Sequence, residues 1–370
     1  MTIAGLGNAV TRVADRFQHG SLRQHVSALV LAIAAFALIG VVASAGDDLV
    51  WPERTSPLNI AALLGCALAV AGAAAAATMP GRVALVATLG ASGLGMAMIF
   101  LASRAPDVAI TQLMVETLTV IFLALVLRKL PPTRLVGSRK PAARRFHALV
   151  AVVLGGVVSA MMLMTVSQPL PGDLAQWYLE HSLPDGKGAN VVNVILVDFR
   201  ALDTLGEILV VALAGLAAAG LLADGTRAGD SRGSADFGSV LLRQGILPLS
   251  ALLALISLVL LWRGHNLPGG GFIGGLVAAS AAVLLALAFG VARARAVLRV
   301  APVALLAIGL AVAAGAGLVG LVHGQPFLTG SWIFPAGLPL GTPLLFDVGV
   351  FLTVLGAVLH MLFRLLEREA

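Results

Sequence analysis

Stretches of eighteen or more predominantly apolar residues recur along the whole 370-residue chain. Each is long enough to cross about 30 Å of hydrocarbon as a helix. A backbone surrounded by lipid must satisfy its own hydrogen bonds, which leaves helices or a closed barrel. Runs this long and uniform, without the alternation of barrel strands, predict an all-α, polytopic integral membrane protein. Only 11% of residues are charged, and the mean hydropathy is +0.99, values outside the soluble globular range. Abundant Ala and Gly beside 5% aromatics predict closely packed helices.

The apolar pattern places about ten spans near 26–45, 58–79, 83–103, 106–128, 146–168, 202–223, 244–262, 272–291, 300–322 and 343–364. Charge tests the count. With both termini cytoplasmic, nineteen of the 24 Lys and Arg residues fall on the cytoplasmic side, as the positive-inside rule requires. The net charge of +6 therefore reflects topology, and no basic motif interleaved with aromatics points to nucleic acid. The single cysteine, Cys66, excludes an internal disulfide and a multi-cysteine metal or iron–sulfur site. The first 26 residues lack the apolar core and cleavage site of a signal peptide. Val10, Val13, Ala14 and Phe17 fit one side of a weakly amphipathic surface helix.

Two interruptions divide the chain: the basic "RKLPPTRLVGSRKPAARR" and the polar "ADGTRAGDSRGSADFGS" at 223–239, which has a linker's composition. The modules expected are 1–57, a surface segment and first helix; 58–140; 141–222; the linker 223–239; and a four-helix module at 240–370.

The residues that do not suit lipid carry the functional argument. Glu116 stands in "ITQLMVETLTVIFLALVL", ten residues after Pro106. That is about 15 Å at 1.5 Å per residue, half the hydrocarbon core. A charge there costs about 3 kcal/mol or more, so the group must face protein or water. A carboxyl so placed is poised to load and release a proton; as a protonated acid bonded to a neighbouring helix it would instead be structural glue. Thr111, Gln112, Thr117 and Thr119 add polar groups to the same helix and favour a hydrated or inter-subunit face.

Asp198, Arg200, Asp203 and Glu207 crowd one helix start in "NVVNVILVDFRALDTLGEI". Two readings fit: a polar entrance with Arg200 pairing one acid, or a capping box in which Thr204 and Glu207 serve free N–H groups. The upstream "VVNVILV" is too short to span. In "RGHNLPGGGFIGGLVAAS", Pro268, Gly269, Gly270 and Gly271 break any helix. Gly270 with Gly274 and Gly271 with Gly275 give overlapping GxxxG spacings, a mark of close helix approach that also suits a broken helix beside an ion path. The order matches no nucleotide-binding loop. His265 is read as a proton relay or a solvated loop histidine. Asp347, about one turn into "TPLLFDVGVFLTVLGAVL", is read as a first-turn carboxylate favoured by the helix dipole or as a path residue. No metal site and no catalytic motif is read anywhere.

"APDVAITQLMVETLTVIFLALVLRKLP" and "NVVNVILVDFRALDTLGEI" resemble the C-terminal part of the MrpA subunit of multisubunit Mrp sodium/proton antiporters. "RGHNLPGGGFIGGLVAAS" and "TPLLFDVGVFLTVLGAVL" resemble the MrpB subunit. The resemblance covers roughly 58–370 in family order, and the same modules are similar to small subunits of membrane-bound hydrogenases and, more distantly, of complex I. It implies a non-enzymatic subunit of a cation/proton antiporter in the plasma membrane, without a resident cofactor, carrying sodium and protons. It implies ion transfer at the motif positions of Glu116 and Glu207. It also implies partner subunits, including a separate large antiporter-like subunit with the buried lysines that are not found here. The other reading of the same modules is the membrane arm of a redox-driven ion pump.

Overall fold

The computed structural model describes residues 22–43, 59–79, 81–129, 141–167, 172–224 and 240–367. The amphipathic N-terminal segment, nearly all of the 223–239 linker and most of the basic loop lie outside them. In chain order the helices are α1 (Leu22–Ala43), α2 (Ile60–Thr78), α3 (Arg82–Ala102), α4 (Pro106–Lys129), α5 (Pro141–Ser167), α6 (Gly172–His181) and α7 (Val191–Val194). After a π-helical turn at Ile195–Phe199 come α8 (Ala201–Asp224), α9 (Val240–Arg263), α10 (Gly271–Phe289), α11 (Val291–Leu298), α12 (Pro302–Val322) and α13 (Thr342–Glu367). A two-residue ribbon, Trp332–Ile333 (β1) against Leu340–Gly341 (β2), precedes α13.

Ten of these segments are long and apolar enough to cross a membrane, matching the ten predicted spans. The helices α5 and α9 begin four to five residues earlier than the apolar pattern indicates, at Pro141 and Val240. Pro at the first helical position and good helix formers such as Ala, Leu and Arg carry those helices past the lipid-compatible run. Hydropathy alone places no helix at 172–181, whereas the structure forms α6 there. Its Trp177 stacks on His181 at 4.3 Å and meets Phe199 at 5.3 Å, an aromatic cluster of the kind found at membrane interfaces.

The chain forms two compact units. In the unit of 1–57 and 136–171, α1 packs along α5. The unit of 58–135 and 172–370 holds everything else. Its core is centred on α13, whose Phe346, Val350, Val354, Leu359, Leu362 and Phe363 are buried against α4, α8, α10 and α12. An apolar helix without a polar face belongs inside a bundle, and α10 and α13 are the two spans with most of their residues inside.

Glycines set the helix spacing. A Cβ at Gly309 of α12 would stand 2.5 Å from the Thr353 amide nitrogen, and one at Gly349 of α13 would stand 2.6 Å from that of Ala313. The α2–α3 pair is equally close, with Gly65 2.8 Å from the Gly95 carbonyl by the same measure. Lipid supplies little hydrophobic drive between helices, so such backbone approach is how they associate. At the start of α2, Asn59 accepts from Ala61 N at 3.0 Å and donates to the Ala102 carbonyl at 3.0 Å, capping one helix and fastening it to the end of α3.

Candidate functional site

Glu116 lies half-buried in α4, turned toward α3. Its carboxylate occupies a notch that exists because residue 93 has no side chain: a Cβ on Gly93 would overlap it. Gln112, one turn earlier, donates to Oε2 at 3.4 Å. Thr111 and Thr117 bond back to the Asp107 and Leu113 carbonyls at 2.8 and 2.7 Å. Their hydroxyls are thus satisfied within the helix, and Gln112 is the helix neighbour bonded to the carboxylate.

The acidic cluster at the start of α8 separates into three environments. Arg200 and Asp203 form an exposed ion pair at 2.6 Å. Glu207 is exposed, and Thr204 is buried inside a helix that already begins at Ala201, its hydroxyl without a partner. The capping box is therefore not formed: Thr204 sits too far into the helix to be its N-cap. Asp198, in the π-helical turn outside the ten spans, faces the backbone of Gly330 in the loop before α13. Burial lifts its carboxyl to about 6, against the opposing pull of the Gly330 N–H.

The third neighbourhood is a buried polar junction around the glycine loop. Pro268–Gly270 leads out of α9 and into α10, and Gly270 has a positive φ of 101°. Two carboxylates hold this loop by its backbone. Asp107, from the first turn of α4, accepts from Gly269 N at 2.9 Å. Asp347, from α13, accepts from Gly271 N at 2.8 Å. Gly271 begins α10, so Asp347 caps a neighbouring helix rather than its own, and the N-terminal dipole of α10 favours its negative charge.

Asn190 and Asn193 complete the junction from α7. Asn190 donates to the Gly264 and Leu267 carbonyls at 3.0 and 3.1 Å. Asn193 is hydrogen-bonded to the Asp347 carboxylate, and its Oδ1 lies 3.3 Å from His265 Nδ1. His265 Nε2 lies 2.7 Å from the Gly186 carbonyl, and the Trp332 ring sits 5.1 Å from the imidazole. His265 is 3% exposed, so it is a buried group and not a solvated loop residue. Burial holds its imidazole below the ordinary histidine range, against the Gly186 hydrogen bond.

The loop glycines divide the packing. A Cβ at Gly270 would stand 2.6 Å from Asn193 Nδ2, and one at Gly271 would overlap Asp347. Gly274 meets Ser257 of α9, and Gly275 meets Phe351 and Val354 of α13. The overlapping GxxxG spacings thus bring three helices together.

Known proteins place these features in a family. Residues 241–360 match the model of a domain related to the MnhB subunit of Na+/H+ antiporter, 142–235 match the MbhE component of MBH, and 67–132 match its MbhD component. The B-type subunit of the Bacillus subtilis Na(+)/H(+) antiporter is 37% identical over 126 residues, 33% of this chain and 88% of that protein. This chain belongs to the Mrp antiporter subunit family. A probable A/B-type K(+)/H(+) antiporter subunit of Rhizobium meliloti is 33% identical over 325 residues, 78% of this chain and 32% of that one. In the Mrp complex of Dietzia sp. DQ12-45-1b, one chain superposes on 99% of this one with a TM-score of 0.83 and 34% identity, using 42% of its own length. The chain thus spans about a third of the length of the A/B-type relative it matches.

Within this Mrp-type chain, Glu116, Asp198, Asp203 and Glu207 precede the MnhB-like segment, while His265, the glycine loop and Asp347 lie in it. The polar junction is where the two parts meet. Of the predicted residues it brings together His265, Asp347 and the glycine loop. Among the described residues, neither Glu116 nor Glu207 shares a hydrogen bond or ion pair with it. Sequence reasoning missed Asp107, Asn190, Asn193 and Gly93. The Asn-Val-Val-Asn spacing of three puts both amides on one side of a helical turn, and the small-residue "LGASGLG" opposite the half-buried Glu116 carboxylate is the signal for the notch.

Proposed function

We propose that this chain is a membrane subunit of a multisubunit monovalent cation/proton antiporter of the plasma membrane. It contributes carboxylates to a proton or ion path and scaffolds neighbouring subunits, including a large antiporter-like one. The observation that carries this reading is the match of almost the whole chain to one chain of the Mrp complex. The geometry supports a transfer role for Glu116. It lies about 14 Å along α4 from Asp107 at the polar junction, counted at 1.5 Å per residue. Its carboxylate also lies against Gly93 of the neighbouring α3. Sodium is the cation in the names of several relatives and potassium in that of the Rhizobium relative, so both are to be assayed. N- and C-termini on the cytoplasmic side follow from the arginine distribution.

The test is cation-dependent proton flux in vesicles holding the assembled complex. Glu116→Gln should abolish most of the flux while the complex still assembles; undiminished flux would leave Glu116 as structural glue. The redox-arm reading is disfavoured because the named relatives are antiporter subunits. Mass spectrometry of the mildly solubilised complex separates the two, since redox proteins beside this chain would overturn the antiporter assignment.

A further inference from the structure

His265, Asn193 and Asp347 form a line with an uncommon property. The Gly186 carbonyl at 2.7 Å is an acceptor only, so His265 Nε2 carries a hydrogen in every state. The protonation of the ring is therefore decided at Nδ1, which faces the Asn193 carboxamide at 3.3 Å. The same carboxamide meets the buried Asp347 carboxylate. A carboxamide has one accepting and one donating end, and the two ends are nearly equal in shape.

Only two arrangements satisfy every contact. With the Asn193 NH2 toward Asp347, its oxygen faces Nδ1, which must then carry a hydrogen; Asp347 is ionised and His265 is cationic. With the amide turned over, its oxygen faces Asp347, which must then be protonated, and its NH2 donates to the bare Nδ1 of a neutral His265. Both arrangements hold one proton and have the same net charge. Loading both groups leaves the added Asp347 O–H without the amide oxygen, which already accepts from Nδ1, and emptying both sets two acceptors against the amide. In a buried site each such mismatch costs about 1–3 kcal/mol.

We propose that His265 and Asp347 are a single-proton pair coupled through Asn193, in which a proton arriving on one residue drives release of a proton from the other. The N–H bond at His265 Nδ1 is lost as the O–H bond at Asp347 is gained, each proton exchanging with its own surroundings, and Asn193 turns over without changing its bonds. Asn193 is thus a positioning residue. The remaining charged groups nearby are engaged elsewhere. Asp107 binds Gly269 N, Arg263 donates to the Pro268 carbonyl, and Lys187 donates to the Pro184 carbonyl. Asp198 faces Gly330, and Asp185 is exposed on the Gly186 side. The Trp332 ring lies against the imidazole and favours its cationic form. Use of the pair in ion exchange rests on the antiporter reading; its existence does not.

The experiment is a pair of site-resolved titrations on the purified complex without any ion gradient. The His265 imidazole is followed by nitrogen-15 NMR, assigned by its loss in His265→Gln. The Asp347 acid carbonyl is followed by infrared absorption, assigned by its loss in Asp347→Asn. Asp347→Asn should move the His265 midpoint by at least about one pH unit, the coupling at which two sites titrate as a pair. Linkage requires His265→Gln to move the Asp347 midpoint by the same amount. In an Asn193→Leu background both shifts should fall to less than half; Asn193→Ser serves if the leucine variant does not assemble. Absent or unequal shifts overturn the pairing, and shifts undiminished without the amide overturn the role of Asn193. Because no transport is measured, loss of flux in Glu116→Gln and failure of this coupling are separate results.

Discussion

Replacing Asp198 by Asn should stabilise this protein at neutral and alkaline pH and have little effect in acid. The carboxyl is half-buried beside Gly330, and burial moves it from 3.8 to about 6. The folded state therefore holds this proton more tightly than the unfolded chain. Stability from this group is highest below about pH 4, falls as pH rises to about 6, and stays at its reduced level above that. Two pH units at 1.36 kcal/mol each set a ceiling of about 3 kcal/mol, and screening at a half-exposed site lowers the expected cost to about 1–2 kcal/mol. Asparagine keeps an oxygen for the Gly330 N–H but cannot ionise. Denaturant unfolding in mixed micelles, followed by tryptophan fluorescence, should show wild type and variant alike near pH 4 and the variant ahead by that amount near pH 8. A gain of equal size at both pH values would refute the ionisation argument. A loss near pH 8 would mean that the carboxylate is held ionised by a cation, and repeating the titration with sodium against choline would expose it.

Three further outcomes follow from the packing. Gly93→Ala should impair flux about as severely as Glu116→Gln, because its methyl takes the place of the carboxylate, whereas Gly90→Ala meets only Val120 at 3.2 Å and should transport normally. Asp107→Ala should cost about 1–3 kcal/mol in the same unfolding assay by leaving the Gly269 N–H without its acceptor. Gly309→Ala should cost a similar amount through overpacking, since its Cβ would press on the Thr353 backbone at 2.5 Å; a neutral result would mean that α12 and α13 separate freely.

The ten spans were legible because lipid imposes one rule on every stretch of the chain, and hydropathy reads that rule directly. The break at Pro268–Gly270 was legible from its proline and glycines, which no helix passes through. What hydropathy does not encode is direction around a helix. Glu116 reads as a mid-membrane carboxylate from its distance to Pro106, but that it points at Gly93 follows only from how α3 and α4 cross. His265 reads as a loop residue because it stands in a turn between helices, yet α7 and the Trp332 ribbon close over it. Thr204 and Glu207 matched a capping pattern in sequence, but the helix starts at Ala201, one turn too early for the box. Asn193 was the least visible, since an asparagine in an apolar stretch gives no sign of which carboxylate it will meet.

The position of the polar junction has its own logic. Helices in lipid gain little from hiding apolar surface, so small-residue contacts fix how closely α10 approaches α13 but allow sliding along the seam. Hydrogen bonds to fixed backbone atoms remove that freedom. Asp107 and Asn190, from the part before the linker, bond to Gly264, Leu267 and Gly269 of the MnhB-like part, while Asp347 bonds to Gly271 from within it. A shift of one residue in either direction would strand the buried Asn190 amide and the half-buried Asp107 carboxylate, each at a cost in free energy. The loop that breaks the helix is therefore the element that sets the register between the two parts. Asn190 also accepts from Asn193 N at 3.4 Å, so the turn that places Asn193 between His265 and Asp347 is tied to the residue that sets the register.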